Sequence, residues 1–394
     1  MLQPFETAVV SHTSGPNRAG DAARRVLTSA DFDAAIGEIS SWEGYAPTPL
    51  VELDHLAETL GIEKVIYKHE GPRFGLGSFK ALGGSYAAFR LLQREFSQAL
   101  GRQVPLADVT NPEYAEAASK ITLITATDGN HGRSVAWGAR RLGTRSRIYI
   151  HAEVSEGRAQ AMRDLGAEVI RIDGDYDATV EVTRRDAKEN GWFIVSDTSW
   201  PGYSEIPRDV MAGYGVMAQE INSELDIPPT HVFLQGGVGG LAASVAAALR
   251  QRWGADSPRV VVVEPDLAPC LLASAKTGDA TPAPISEETM MAGLSCGEPS
   301  KIAWDILADE VRDFITIPES VVAPAVKLMA RPEGGDPVIE AGESAIAGLA
   351  GLICAARQDE LRAKINLDAA SRVLLIGTEG VTDPMVYAKI LEAA

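Results

Sequence analysis

The chain has 394 residues, 45% hydrophobic and 23% charged, which suits a soluble globular protein long enough for two packed domains. Its 54 acids against 36 bases give a net charge of −18, a surface that repels nucleic acid and anionic membranes and so excludes both as expected partners. No apolar run reaches the ~20 residues that span a bilayer, and the start lacks the basic and apolar segments of an export signal, so a cytoplasmic protein is expected.

Cys270, Cys296 and Cys354 are too few and too scattered for a disulfide framework. Neither Cys-x-x-Cys nor His-Glu-x-x-His occurs, so no metal site is expected.

The first notable stretch is "RFGLGSFKALGGSYAAF", residues 73–89, where Lys80 is the single charge between Phe74 and Phe89 among small and apolar residues. Residues 95–119, polar and carrying Pro105, read as a surface insertion. From residue 121 the pattern alternates: "ITLITAT" as a strand, "HGRSVAWGARRLG" as a helix ending at Gly143, then "RIYIHA", "SEGRAQAMRDLGA", "EVIRI", "DATVEVTRRDAKENG" and "WFIVSD" (192–197) in the same rhythm. The later part repeats it with "THVFLQGG" before a small-residue helix, and with "RVVVVEP" and "RVLLIGTEG" as buried strands; "TGDATPAPISEET" (277–289) reads as an exposed loop. Such alternation implies α/β architecture, with twisted, mostly parallel sheets flanked by helices. The expected division is a large domain of residues 1–87 and 199–394 around a small domain of 88–198.

Ligands of open α/β sheets bind beyond the carboxyl ends of the strands. Four positions stand there: Asp128 after "ITLITAT", Asp197 closing "WFIVSD", the glycine loop Gly236, Gly237, Val238, Gly239 and Gly240 after "VFLQ", and Thr378 after "VLLIG". The loop can aim backbone N–H groups at an anion, or it can be a tight turn. Its spacing is neither Gly-x-Gly-x-x-Gly nor a nucleotide-triphosphate loop. Each Asp reads alone as a helix cap; two of them beside a phosphate loop and an isolated lysine read as site carboxylates. His131 reads as a packed or capping histidine, and Met290 and Met291 as core. A lysine in an apolar pocket loses hydration, so its free amine becomes available to form a Schiff base with an aldehyde cofactor, and a phosphate loop would anchor that cofactor.

"GSFKALGGSYA" resembles the cofactor-lysine motif of the fold-type II, tryptophan synthase β-like, pyridoxal-phosphate enzymes, and "TATDGNHG" their Ser-x-Gly-Asn-His-Gly segment with Asp128 in place of the serine. With "SDTSWPGY" and "MMAGLSCGEP", the pattern from about residue 40 onward resembles the diaminopropionate ammonia-lyases within that family. The resemblance implies a homodimer with pyridoxal 5'-phosphate as cofactor and a small amino acid as substrate. Lys80 would carry the cofactor, Asn130 would hydrogen-bond its 3′-oxygen, and Gly236, Gly237, Val238, Gly239 and Gly240 would cradle its phosphate. Lys80, Asp128 and Asp197 would be catalytic. Gly377 occupies the position usually held by serine near the ring nitrogen, leaving Thr378 as the nearest hydroxyl. The implied reaction is α,β-elimination of 2,3-diaminopropionate to pyruvate and ammonia, with elimination from serine, threonine or 3-hydroxyaspartate as the alternative. The resemblance also puts Cys270 and Cys296 near the same strand ends, as free thiols or, alternatively, as a disulfide.

Overall fold

The computed structural model describes residues 2–18, 20–174, 176–285 and 287–392, so Ser286 of the expected 277–289 loop lies outside the described residues. Two compact units emerge. One comprises Met1–Ser29, Pro47–Ser78 and Met217–Ala394; the other comprises Ala30–Ala46 and Phe79–Val216.

The first unit is built on a seven-stranded sheet. Its strands are β1 (His12–Ser14), β2 (Leu50–Glu52), β3 (Lys64–His69), β8 (His231–Gln235), β9 (Arg259–Pro265), β10 (Val311–Ile317) and β11 (Arg372–Gly377), in the order β1-β10-β9-β8-β11-β3-β2. The five central strands are parallel and the two edge strands antiparallel. The central strands are valine-, leucine- and isoleucine-rich because both of their faces are covered. On one face Val65, Tyr67, Phe233, Val261, Val263, Val373 and Leu375 pack against the Ala347–Arg357 helix through Leu349, Leu352 and Ile353.

The stretch leading toward Lys80 is fixed by a fully buried charge cluster. Arg73 makes paired hydrogen bonds to Glu70 (2.9 and 2.8 Å) and to Glu220 (2.8 and 2.8 Å), and Lys68 reaches Glu220 at 2.8 Å. The two cations and two carboxylates balance, which is what allows them inside; removing one member of such a cluster costs about 3–5 kcal/mol.

The second unit holds a four-stranded parallel sheet, ordered β6-β5-β4-β7, of β4 (Thr122–Ala126), β5 (Arg145–Ile150), β6 (Glu168–Arg171) and β7 (Phe193–Ile194). The expected strands and helices from residue 121 onward are present, and the helix after β4 stops at Gly143 in the left-handed conformation (φ 67°). Both the unit and the insertion differ from expectation. Residues 95–100 are the last turns of one helix, Lys80–Leu100, and the residues after it form two single 3-10 turns, Leu106–Asp108 and Pro112–Tyr114, and a short helix, Ala115–Ser119. That helix packs along the Asn130–Leu142 helix, so Lys80 and its glycines belong with the second unit rather than with residues 1–87. Contact is close because the facing residues are small: the Ser85 N–H donates to Ser134 Oγ (3.0 Å), and a Cβ on Gly138 would come 2.9 Å from Ser85 Cα. Trp42 joins the unit by packing its ring at a tilt against Phe89 and edge-on against Trp137. The Glu205–Glu224 helix enters it through Asp209, which pairs with Arg94, and Gly213, whose missing side chain admits the Leu82 carbonyl.

A Cβ at Gly213 would lie 2.5 Å from that carbonyl oxygen. Gly213→Ala should therefore destabilise the protein by about 1–3 kcal/mol, since backbone cannot give way as a side chain can. Urea unfolding with an unchanged midpoint would contradict this packing.

Candidate active site

In the second unit the strand order reverses between β4 and β7, the place where α/β sheets open a crevice. Asp128 follows β4 and Asp197 follows β7; the register pairs Leu123 with Phe193 and Ile124 with Ile194, which carries Asp197 to the level of Thr127. The two carboxylates thus end adjacent strands. Neither is a helix cap. The cap of the Asn130–Leu142 helix is the Thr127 hydroxyl, which accepts from the N–H groups of Gly129 and Gly132, both at 3.1 Å. Gly129 makes the turn possible with φ 152°, ψ −79°, a conformation closed to other residues.

Asp197 and Lys80 form an ion pair with Nζ 2.5 Å from Oδ2, and their side chains are only 14% and 19% exposed. The isolation of Lys80 read from the sequence is therefore incomplete: its neighbours include the Phe79 and Tyr214 rings, 5.6 and 5.9 Å from Nζ, and also a carboxylate. Burial opposes ionisation of Asp197, but the Lys80 ammonium outweighs it and holds the carboxyl well below the usual carboxylate range. His131 is packed as expected. Its Nε2 lies 2.8 Å from the Val195 carbonyl and its Nδ1 3.9 Å from Asp197, and burial lowers its pKa, keeping it neutral. The Tyr203 hydroxyl clamps the chain before Asp197, donating to the Ile194 carbonyl (2.8 Å) and accepting from the Ser196 N–H (3.0 Å). Asn130 is the first residue of its helix and partly exposed. Asp128 is held by His151, the residue after β5, with 3.1 Å between Oδ1 and Nε2.

The first unit carries the glycine loop, at the reversal between β8 and β11. Gly237 and Gly239 have φ 62° and 95°, and a Cβ on Gly236 would strike Glu264 Cγ at 2.4 Å. These three positions admit only glycine. The N–H groups of Gly237, Val238 and Gly240 have no acceptor among the described residues, so they are available to an anion at the start of the Gly240–Trp253 helix. A phosphate fits this cradle. Thr378, beyond β11, is buried. Gly377 is glycine for a visible reason: the Tyr67 phenol oxygen lies 2.1 Å from where its Cβ would be. Cys270, Cys296 and Cys354 are free thiols, with no disulfide. Cys270 Sγ lies 3.5 Å from the Gly237 carbonyl and Cys296 Sγ 3.6 Å from where a Gly237 Cβ would be, so both thiols meet at the loop. Met291 is core, whereas Met290 is exposed.

Glu264 was not singled out in the sequence. It sits beneath the loop and accepts from the N–H groups of Leu271 and Leu272, both at 2.8 Å. His151 was also missed, although it ends "RIYI" as Asp128 ends "ITLIT", so the same strand-end rule points to it. Arg73 and Glu70 stand three positions apart, but Glu220 lies 147 positions from Arg73, and nothing local foretells that pairing.

Residues 42–379 match the family described as pyridoxal-phosphate dependent enzyme. The chain belongs to that family. It is 39% identical over 357 residues to the diaminopropionate ammonia-lyases of Escherichia coli (strain K12) and Salmonella typhimurium, covering 88% of this chain and of each relative. A solved structure of the Escherichia coli diaminopropionate ammonia lyase, in complex with an aminoacrylate-PLP azomethine reaction intermediate, superposes with a TM-score of 0.88 at 35% identity, over 98% of this chain and 97% of that one. A probable D-serine dehydratase of Bacillus cereus is more distant, at 25% identity over 93% of this chain and 85% of its own length. The mixed α/β fold with parallel sheets flanked by helices is that of fold-type II enzymes, and the cofactor of the family is pyridoxal phosphate.

Burial pushes the Glu264 carboxyl up to about 8 against the hydrogen bonds it accepts. A folded-state pKa raised above the ordinary value of 4.5 means that its stabilising contribution is complete below about pH 4.5 and is lost as pH rises through about 8. The stability difference between the wild type and Glu264→Gln should therefore shift in favour of the variant between pH 5 and pH 9. Thermal unfolding of both proteins across that range checks it, and a constant difference would contradict a protonated Glu264 at neutral pH.

Proposed function

We propose that the chain catalyses α,β-elimination of 2,3-diaminopropionate, giving pyruvate and two ammonia molecules, as a cytoplasmic homodimer. The observation that carries this reading is the pair of carboxylates, Asp128 and Asp197, on adjacent strand ends with Lys80 already bound to one of them. A substrate with a β-ammonium gains from a nearby carboxylate, whereas the hydroxyl of serine or threonine gains little and a second substrate carboxylate is repelled.

Pyridoxal phosphate, when bound, supplies an electron sink that makes the substrate's Cα proton acidic. The chain supplies the rest. Lys80 is the covalent attachment point and the proton acceptor on one face of Cα; Asp128 is the acceptor on the other face, so that both enantiomers are substrates. Asp197 steadies the Lys80 ammonium and takes part in moving its proton. The N–H groups of the 236–240 loop hold the phosphate, Asn130 holds the 3′-oxygen, and Thr378 is the hydroxyl for the ring nitrogen. The first unit, Met1–Ser29, Pro47–Ser78 and Met217–Ala394, serves cofactor binding.

A panel assay tests the substrate. Diaminopropionate should release pyruvate and ammonia in a 1:2 ratio at a kcat/KM well above that of serine, threonine or 3-hydroxyaspartate, and a faster hydroxy amino acid would overturn the reading. Asp128→Asn should lower kcat for the D-enantiomer by about 10²–10⁴, the usual contribution of a general base, and lower it less for the L-enantiomer. Equal small losses for both would reduce Asp128 to a structural residue.

A further inference from the structure

His151 is the first residue beyond β5, and the β4–β5 register, which pairs Ala126 with Tyr149, brings it level with Asp128 on the next strand. Its ring is buried and its Nε2 stands 3.1 Å from Asp128 Oδ1. The ring's tautomer can be deduced. The Glu153 N–H donates to Nδ1 at 3.3 Å, so Nδ1 carries a lone pair and the proton sits on Nε2, directed at the carboxylate. The backbone around the ring is held independently of the side chain. Arg171 Nη1 donates to the carbonyls of His151, Ala152 and Val154 at 3.2, 2.9 and 2.6 Å. Since Thr127 caps the helix, Asp128 has no capping duty, and His151 is the side chain that orients it.

We propose that His151 is a positioning residue: its Nε2–H holds Asp128 in the orientation of a proton acceptor for the D-enantiomer of the substrate. The inference rests on the reading of Asp128 as the acceptor on that face. A neutral N–H donor leaves the second carboxylate oxygen, Oδ2, free to take the proton, whereas a freely rotating Asp128 would spend part of its time turned away. A donor to a carboxylate oxygen strengthens the anion, and losing such a bond costs about 10- to 100-fold.

The test uses the holoenzyme with D- and L-2,3-diaminopropionate. His151→Ala should lower kcat for the D-enantiomer by about 10- to 100-fold with KM little changed, and should leave the L-enantiomer within about twofold. His151→Gln, whose amide can donate from nearly the same place, should recover most of the loss. Asp128→Asn combined with His151→Ala should be no slower on the D-enantiomer than Asp128→Asn alone. Nitrogen NMR of the wild-type imidazole should show a protonated Nε2 and a bare Nδ1. A D-selective loss in Asp128→Asn without one in His151→Ala, an additive double variant, or an unrescued Gln variant would overturn the inference while leaving Asp128 as acceptor. A normal D-rate in Asp128→Asn would overturn both.

Discussion

The ion pair between Lys80 and Asp197 is the constraint that gives the second unit its functional form. Two opposite charges at 2.5 Å, mostly out of water, are costly to assemble and far costlier to separate. Each partner is therefore placed by strong local structure. Lys80 opens a helix whose glycines and serines let it lie close against the Asn130–Leu142 helix; Asp197 ends a short strand clamped by Tyr203. The pairing keeps the carboxyl ionised in a setting that alone would protonate it.

The first unit has a different feature, a loop that suits an anion without offering a cationic side chain. Glycines in the left-handed region expose backbone N–H groups, and the residues around the loop leave no room for side chains. Burial raises the pKa of Glu264 beneath it, which weakens the buried negative charge next to the loop. The Tyr67 phenol shows the same economy of volume: its ring reaches from its register partner Leu375 along the neighbouring strand into the space of a side chain at 377.

Much of this was legible in the sequence. Strand runs such as "RVVVVEP" and the alternating helices announce parallel sheets, because a strand covered on both faces has no polar positions to spare. The strand-end rule alone points to Asp128, Asp197, the glycine loop and Thr378. The missed features share one cause. Asp197 as the partner of Lys80 spans 117 positions, Glu220 as the partner of Arg73 spans 147, and the unit boundary at Phe79 follows from packing along a whole helix. Periodicity reports what a segment does locally, whereas these contacts are decided by how segments meet. His151 is the exception, since the same rule applied to one more strand would have found it.

The central claim is that Lys80 carries the cofactor. Reduction of the holoenzyme with borohydride, digestion and peptide mapping by mass spectrometry locates the modified lysine directly. The account predicts the pyridoxyl group on Lys80 and an unmodified Lys68, which is locked in the buried charge cluster with Glu220; the group on any other lysine would contradict it.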